Sequence, residues 1–121
     1  VPAIVYTKPE IASVGLTEAQ ARNARHAVKT SRFDVRALGR AQAEDEIIGF
    51  AKIIGDENTG RVLGAHIMAH GAGEMIHETA LAIRKNLSVN DIAETVHAHP
   101  TFAESIEETA QLWLGRPRHA Q

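Results

Sequence analysis

The sequence has 121 residues, and none of them is a cysteine. The chain therefore forms no disulfide, and it cannot supply a thiol to a redox reaction. Any thiol chemistry in which it takes part must use sulfur from another molecule or from another part of a longer protein. Because cytosolic proteins rarely depend on disulfides, the absence of cysteine favours a cytoplasmic location.

Other absences exclude further classes of function. The chain has no Gly-x-Gly-x-x-Gly motif, so the sequence predicts no dinucleotide site of its own. No apolar run approaches the roughly 20 residues of a membrane-spanning helix. The 13 lysines and arginines are scattered and the formal net charge is −2, so we expect neither a membrane nor a nucleic acid as a partner. Dispersed charges such as Glu10, Glu18 and Arg22 are expected at the solvated surface.

Length and composition are those of one folded domain. Hydrophobic residues make up 44% of the chain, which is enough for a core at this length. We expect a single domain over residues 1–114, followed by a loose tail over residues 115–121. The first residues, Val-Pro-Ala-Ile-Val-Tyr, are apolar and include no methionine, so we also expect a piece of a longer protein.

The order of hydrophobic patterns predicts strands first and helices later. Apolar runs between turn-forming residues predict strands over residues 3–7, 11–15, 28–35, 47–54 and 62–68, with an irregular segment over 36–46. A 3.6-residue period and capping signals predict helices over residues 18–25, 71–87, 89–94 and 101–114. The first of these signals is a capping box of Thr17 and Gln20, and the second is Ser88 as the N-cap of residues 89–94. The fold class is therefore α+β, with a largely antiparallel sheet packed against helices.

The most informative cluster is His-Ala-His-Pro-Thr-Phe-Ala-Glu, residues 97–104. In one interpretation it only begins a helix. Thr101 and Glu104 have the spacing of a capping box, in which a hydroxyl and a carboxylate satisfy the free amides of a helix start. His97 and His99 are then ordinary loop residues.

A second interpretation of the same cluster is catalytic. His99 precedes the helix and Glu104 lies in its first turn, so the imidazole can turn back toward the carboxylate. A carboxylate bonded to one ring nitrogen fixes the tautomer and orients the ring, which leaves the other nitrogen free to exchange a proton. Pro100 stiffens the chain between them.

Metal binding is a third interpretation, and the residue pattern argues against it. Five histidines could in principle be gathered, namely His66, His70, His77, His97 and His99. However, no cysteine and no His-Glu-x-x-His motif accompany them, so we predict no metal site. The remaining histidines, His26 and His119, are expected at the surface.

Three motifs carry a resemblance to a known family. Residues 5–18, 71–78 and 97–104 resemble, in this order, the opening, the long helix and the active-site signature of one domain. That domain is the C-terminal interface, or dimerisation, domain of the flavin-dependent pyridine nucleotide–disulfide oxidoreductases. The likeness extends over residues 1–112, and the His-x-His-Pro-Thr form is most similar to the dihydrolipoamide dehydrogenases.

The resemblance implies roles for individual residues. His99 matches the catalytic acid–base, and Glu104 matches the carboxylate that orients it. Pro100 matches a proline that follows a cis peptide near the partner subunit's flavin. His97 matches no established catalytic role, and we expect it to support the loop. Trp113 is a candidate interface anchor, with a plain core role as the alternative.

The resemblance also implies cofactors and partners. FAD and NAD belong to the full-length enzyme, and none is expected on this chain alone. The domain is expected to form a homodimer whose shared active site makes the isolated chain inactive. A lipoyl-bearing acyltransferase component of a 2-oxo acid dehydrogenase complex is the expected protein partner. The alternatives are a domain of a glutathione-reductase-like disulfide reductase and a dimerisation module without catalysis.

Overall fold

The structure, a computed structural model, describes residues 1–37 and 48–116. The strands are β1 (Ala3–Val5), β2 (Glu10–Gly15), β3 (Val28–Asp34), β4 (Phe50–Asp56) and β5 (Val62–Ala69). The helices are α1 (Glu18–Asn23), α2 (Ala72–Arg84), α3 (Val89–Glu94) and α4 (Glu104–Trp113), and a 3-10 turn spans Val35–Ala37. The predicted α+β class is confirmed.

The five strands form one sheet in the order β1-β2-β5-β4-β3, and every neighbouring pair is antiparallel. The predicted hairpin of β4 and β5 lies within this sheet. Its loop is closed by Asp56, whose Oδ1 accepts hydrogen bonds from the amides of Asn58 (2.8 Å) and Thr59 (3.1 Å). The sequence of turn formers therefore determines where this central hairpin reverses.

The two longer helices cover the same face of the sheet. Helix α2 packs on β2 and β5, whereas α4 packs on β3 and β4 and is covered on its other side by α3. Between helices and sheet lie Ile53, Ile67, Ile76 and Ile106, each at most 1% exposed. Burial of each such side chain contributes about 1.5–3 kcal/mol. The start of α4, and with it the predicted site, is held by this core.

Trp113, at the end of α4, belongs to the core. Its side chain is 5% exposed, and its indole N–H donates to the carbonyl of Lys29 at 2.7 Å. The residue facing it is Gly55, where a Cβ atom would lie 2.7 Å from the indole. A glycine is needed here so that the strand and the indole can approach each other. Of the two alternatives for Trp113, the structure supports the core role.

The face of the sheet that the two longer helices do not cover carries a row of apolar side chains. Val5 pairs with Ile11, Ile11 with Met68, and Met68 with Phe50. Residues directly opposite each other on neighbouring strands point to the same face, so the four side chains follow one another across the sheet. Val5 is 53% exposed and Ile11 is 42% exposed. This row, Val5–Ile11–Met68–Phe50, is the apolar stripe of the sheet.

Several boundaries differ from the prediction. Strand β1 ends at Val5 and helix α2 ends at Arg84, each earlier than expected. Leu87, predicted at the end of the helix, instead offers its carbonyl to the amide of Val62 at 3.1 Å. The predicted irregular segment falls largely on residues 38–46, which lie outside the described residues, as do residue 47 and the tail from residue 117.

The capping box predicted for α1 is present. Thr17 Oγ1 accepts from the amide of Gln20 at 3.1 Å, and Gln20 Oε1 accepts from the amide of Thr17 at 2.9 Å. We expect Thr17→Ala to lower the free energy of unfolding by about 1 kcal/mol, because one amide loses its acceptor. Urea denaturation measures this. Thr17→Ser keeps the hydroxyl and is the matched control; an equal loss in both variants would contradict the capping role.

Candidate active site

The candidate site lies in the loop of residues 95–103, between α3 and α4. Helix α3 begins at Ser88, which was predicted as its N-cap and which forms a capping box with Asp91, and it ends at Thr95, whose backbone is extended. Within the loop the His99–Pro100 peptide is cis, as the family resemblance implies.

The structure brings His99 and Glu104 together. The ring Nδ1 of His99 lies 3.0 Å from Oε1 and 2.9 Å from Oε2 of Glu104. Because a carboxylate can only accept hydrogen bonds, Nδ1 carries a hydrogen and donates it to this carboxylate. The tautomer of the neutral ring is thereby fixed, and Nε2 lies on the side of the ring away from Glu104.

The two members of this pair differ in their exposure. The side chain of Glu104 is 10% exposed, whereas that of His99 is 69% exposed. Glu104 is also the first residue of α4, so its carboxylate lies at the positive end of the helix dipole, which stabilises negative charge. A fixed, buried acceptor thus holds an imidazole whose other nitrogen is open to a molecule approaching from outside.

The capping box predicted at Thr101 is only half formed. Glu104 Oε1 accepts from the amide of Thr101 at 2.9 Å, as a capping box requires. The hydroxyl of Thr101, however, donates to the carbonyl of Ala98 at 2.6 Å, and α4 begins at Glu104 with Ala103 before it. The prediction that the helix starts at Thr101 is wrong, because this hydroxyl closes the loop instead. Glu104 therefore caps and orients at once, since it has two oxygens.

The side chain of His97 is buried and contacts a different pair of carboxylates. Its Nε2 lies 2.6 Å from Oε2 of Glu78 on α2, and its Nδ1 lies 3.2 Å from Oε1 of Glu107 on α4. The His97 side chain is only 7% exposed. The hydrogen bond to Glu78 raises the pKa of His97, and the charges of Glu78 and Glu107 add to this, whereas burial acts in the opposite direction.

The sequence of this chain matches one known protein family over most of its length. The family model described as "Pyridine nucleotide-disulphide oxidoreductase, dimerisation domain" matches residues 1–110. The chain belongs to this family. The predicted resemblance is therefore confirmed for almost the whole chain.

Individual relatives of this dimerisation domain are larger proteins. The chain is 45% identical over 119 residues to the mitochondrial dihydrolipoyl dehydrogenase of Pisum sativum, covering 98% of the chain and 24% of that protein. It is 44% identical over 117 residues to a leghemoglobin reductase of Glycine max, covering 97% of the chain and 22% of that protein. The structure of the HOCl-induced flavoprotein disulfide reductase RclA of Escherichia coli superposes with a TM-score of 0.88 at 29% identity, covering 93% of this chain and 26% of that one. The dimerisation domain thus spans about a quarter of such relatives.

A cleft of about 500 Å³ opens beside the site of the dimerisation domain. Among the residues that line it are His97, His99, Glu104, Glu107 and Arg116. Its wall carries both carboxylates and basic side chains, and the exposed imidazole of His99 lies at this cleft.

Two further observations concern metals and membranes. Within residues 1–37 and 48–116, no group of three or more His, Asp or Glu side chains is arranged to hold a metal ion. No helix in the same ranges has the length and apolar character needed to cross a membrane.

Two other histidines have partners of their own. His26, expected at the surface, is partly buried, and its Nδ1 lies 2.9 Å from Oδ2 of Asp56. His70 follows β5 and its ring packs against Phe102, with 5.2 Å between the ring centroids. His119 lies outside the described residues.

Sequence reasoning missed the two glutamates around His97. Glu107 follows Glu104 by one helical turn, so the period of α4 could have indicated that both face the loop. Glu78 precedes His97 by 19 residues, and helix α3 lies between them in the sequence. No local spacing therefore indicates their contact.

Proposed function

We propose that this chain is the dimerisation domain of a longer, FAD-dependent and NAD-linked dihydrolipoamide dehydrogenase. In this proposal His99 and Glu104 act in trans, at the disulfide and flavin of the partner subunit. The observation that carries the proposal is the geometry of the pair: a buried, doubly engaged carboxylate that holds an exposed imidazole by Nδ1.

The chemistry needs such an imidazole because a thiol is a poor nucleophile near neutral pH. The thiolate attacks a disulfide, and a free thiol has a pKa of about 8.5. His99 takes the proton of one substrate thiol at Nε2, and Glu104 stabilises the imidazolium that results. The substrate thiolate then forms a bond to one sulfur of the enzyme disulfide, and the other sulfur leaves as a thiolate. The second substrate thiol, once deprotonated, then attacks the substrate sulfur of this mixed disulfide and displaces the second enzyme sulfur. The dithiol thus becomes a disulfide by giving up two electrons and two protons, and the enzyme disulfide accepts the two electrons and becomes a reduced dithiol pair.

FAD and NAD+ would supply the electron acceptors for this oxidation when bound to the remaining domains. Within the described residues, His99 and Pro100 fit a position beside a redox group, because both are exposed and can contact another subunit. His97 fits less well, because its ring is buried between two carboxylates. In the proposal Pro100 packs near the partner's flavin, and His97 does not contact the flavin but supports the loop that carries His99.

The surface of the chain supports a homodimer. Val96, next to the site, is 93% exposed, and Tyr6 and Leu81 are exposed by 77% and 57%. Together with the apolar stripe of the sheet, these side chains offer surface that other parts of the enzyme can cover. In a two-fold dimer each subunit completes the partner's site with the same residues, so one dimer contains two shared sites. The isolated chain is then inactive.

Hybrid dimers test the action in trans. One subunit of the full-length enzyme carries His99→Gln, and the other carries a serine in place of a disulfide cysteine in its remaining domains. Each homodimer should be nearly inactive. An equal mixture that exchanges subunits should recover about a quarter of wild-type turnover, because half of the dimers are hybrids with one intact site. A mixture that stays inactive after verified exchange would place the pair beside its own subunit's disulfide instead.

We infer that the dithiol is carried by a lipoyl-bearing acyltransferase of a 2-oxo acid dehydrogenase complex. A glutathione-reductase-like disulfide reductase is the second candidate, since the similar structure from Escherichia coli is named as a disulfide reductase. Turnover of the full-length enzyme with dihydrolipoamide and with glutathione disulfide distinguishes the two. The cytoplasmic location stays a prediction, since the Pisum sativum relative is named as mitochondrial.

A further inference from the structure

The contacts of His97 are not required for the proton transfer that we propose for His99 and Glu104. Its buried ring has a carboxylate next to each nitrogen, at 2.6 Å from Nε2 and 3.2 Å from Nδ1. The contact with Glu78 is a hydrogen bond. The contact with Glu107 has the distance of an ion pair, but Nδ1 makes no well-directed hydrogen bond within residues 1–37 and 48–116.

This geometry selects one protonation state. A neutral imidazole has a single N–H, so its other nitrogen would direct a lone pair at a carboxylate oxygen. The imidazolium has an N–H at each nitrogen, so no lone pair faces a carboxylate, and it carries a positive charge that both carboxylates attract. The pKa of His97 is accordingly raised, first by the hydrogen bond to Glu78.

The same contacts connect three elements of the fold. Glu78 belongs to α2, Glu107 belongs to α4, and His97 stands in the loop two residues before His99. The other charged or titratable groups that line the cleft near His97 are Glu94, His99, Glu104 and Arg116. Only Glu78 and Glu107 lie within 4 Å of its ring nitrogens among the described ion pairs.

We propose that His97 is a positioning residue: as an imidazolium held between Glu78 and Glu107, it fixes the loop that aims His99 at the substrate. This inference rests on the proposed function, because it concerns the ring that accepts the substrate proton. Loss of the His97 proton leaves Glu78 and Glu107 without a shared cation, and the contacts from this ring to α2 and α4 are weakened, while Glu104 still holds His99 and the amide of Thr101.

The direction of the pH effect follows from the raised pKa. The stabilising contribution is complete below the ordinary histidine pKa of about 6.5 and is lost as pH rises through the higher value of the folded protein. Turnover should therefore fall on the alkaline side when His97 loses its proton.

Glu78→Gln in the full-length enzyme is the decisive variant. It keeps the shape of the side chain but removes one of the two charges, so the alkaline limb of kcat should move to lower pH by about one unit. His97→Gln should lower kcat at pH 7 about 10-fold with little change in KM for dihydrolipoamide, since a small displacement of a catalytic group has effects of this size. His77→Gln, an exposed position on α2 next to Glu78, is the control and should behave as wild type.

The outcomes separate this inference from the proposed function. A Glu78→Gln profile that coincides with that of the wild type overturns the positioning role, and so does wild-type turnover in a folded His97→Gln enzyme. If His97→Gln does not fold, the Glu78→Gln profile decides alone. Full turnover of His99→Gln would contradict the proposed function, whereas an inactive His99→Gln beside normal Glu78 and His97 variants would contradict only the positioning role.

Discussion

Replacement of His99 by glutamine in the full-length enzyme is expected to lower dihydrolipoamide turnover by a factor of about 10²–10⁴. Glutamine keeps polarity and approximate size, and its amide can still donate to Glu104. It cannot accept and release a proton near neutral pH, so the substrate thiol is no longer converted to a thiolate within the site. Steady-state turnover with dihydrolipoamide and NAD+ measures the loss.

The stability of the His99→Gln enzyme should be nearly unchanged. The ring is 69% exposed, and surface substitutions usually alter the free energy of unfolding by no more than about 0.5 kcal/mol. His77→Gln replaces another exposed histidine that lies on α2, and it should keep both turnover and stability. Near-normal dihydrolipoamide oxidation by His99→Gln would refute the acid–base role.

Features set by neighbours in sequence were predictable. The capping box of Thr17 and Gln20 depends on residues three positions apart, and it formed as expected. Ser88 is the N-cap of α3, as expected. The meeting of His99 and Glu104 depends on five residues, with Pro100 between them limiting the path of the chain. In each case the two residues are close in sequence and cannot move far from one another, so their interaction can be predicted without knowing how the rest of the chain folds.

Features set by the sheet and by helix packing were not predictable from one sequence. Glu10, expected at the solvated surface, accepts a hydrogen bond from the amide of Gly73 at 3.0 Å, although the two are 63 residues apart. It acts in place of a side-chain cap at the start of α2, whose own N-cap is Gly71. The contact exists because β2 lies next to β5, which the chain order of the strands does not indicate.

Thr101 shows how a local signal can fail. Its spacing to Glu104 fits a capping box, but the hydroxyl has a second acceptor nearby, the carbonyl of Ala98. A hydroxyl commonly bonds to local backbone groups outside helices, and here the loop contact wins over the helix cap. The carboxylate still reaches the Thr101 amide, so the sequence predicted the acceptor correctly and the helix start three residues too early.

Replacement of Glu104 by alanine is expected to reduce turnover on the order of 10²-fold, because the imidazole of His99 loses the group that fixes its tautomer and orientation. The same change removes the acceptor of the Thr101 amide, which should lower the free energy of unfolding by about 1 kcal/mol. Turnover and urea denaturation of the full-length enzyme measure the two effects separately.

Glu104→Gln separates orientation from capping. The amide oxygen can still accept from Thr101, so most of the stability should return, but the negative charge that stabilises the His99 imidazolium is gone and turnover should remain low. Glu57→Ala, an exposed glutamate in the β4–β5 loop, controls for the loss of a surface carboxylate and should change neither quantity. If Glu104→Ala loses stability while turnover holds, Glu104 only caps α4, and the reaction must then depend on His99 without an orienting carboxylate. If Glu104→Gln restores both, the carboxylate serves by its shape and not by its charge.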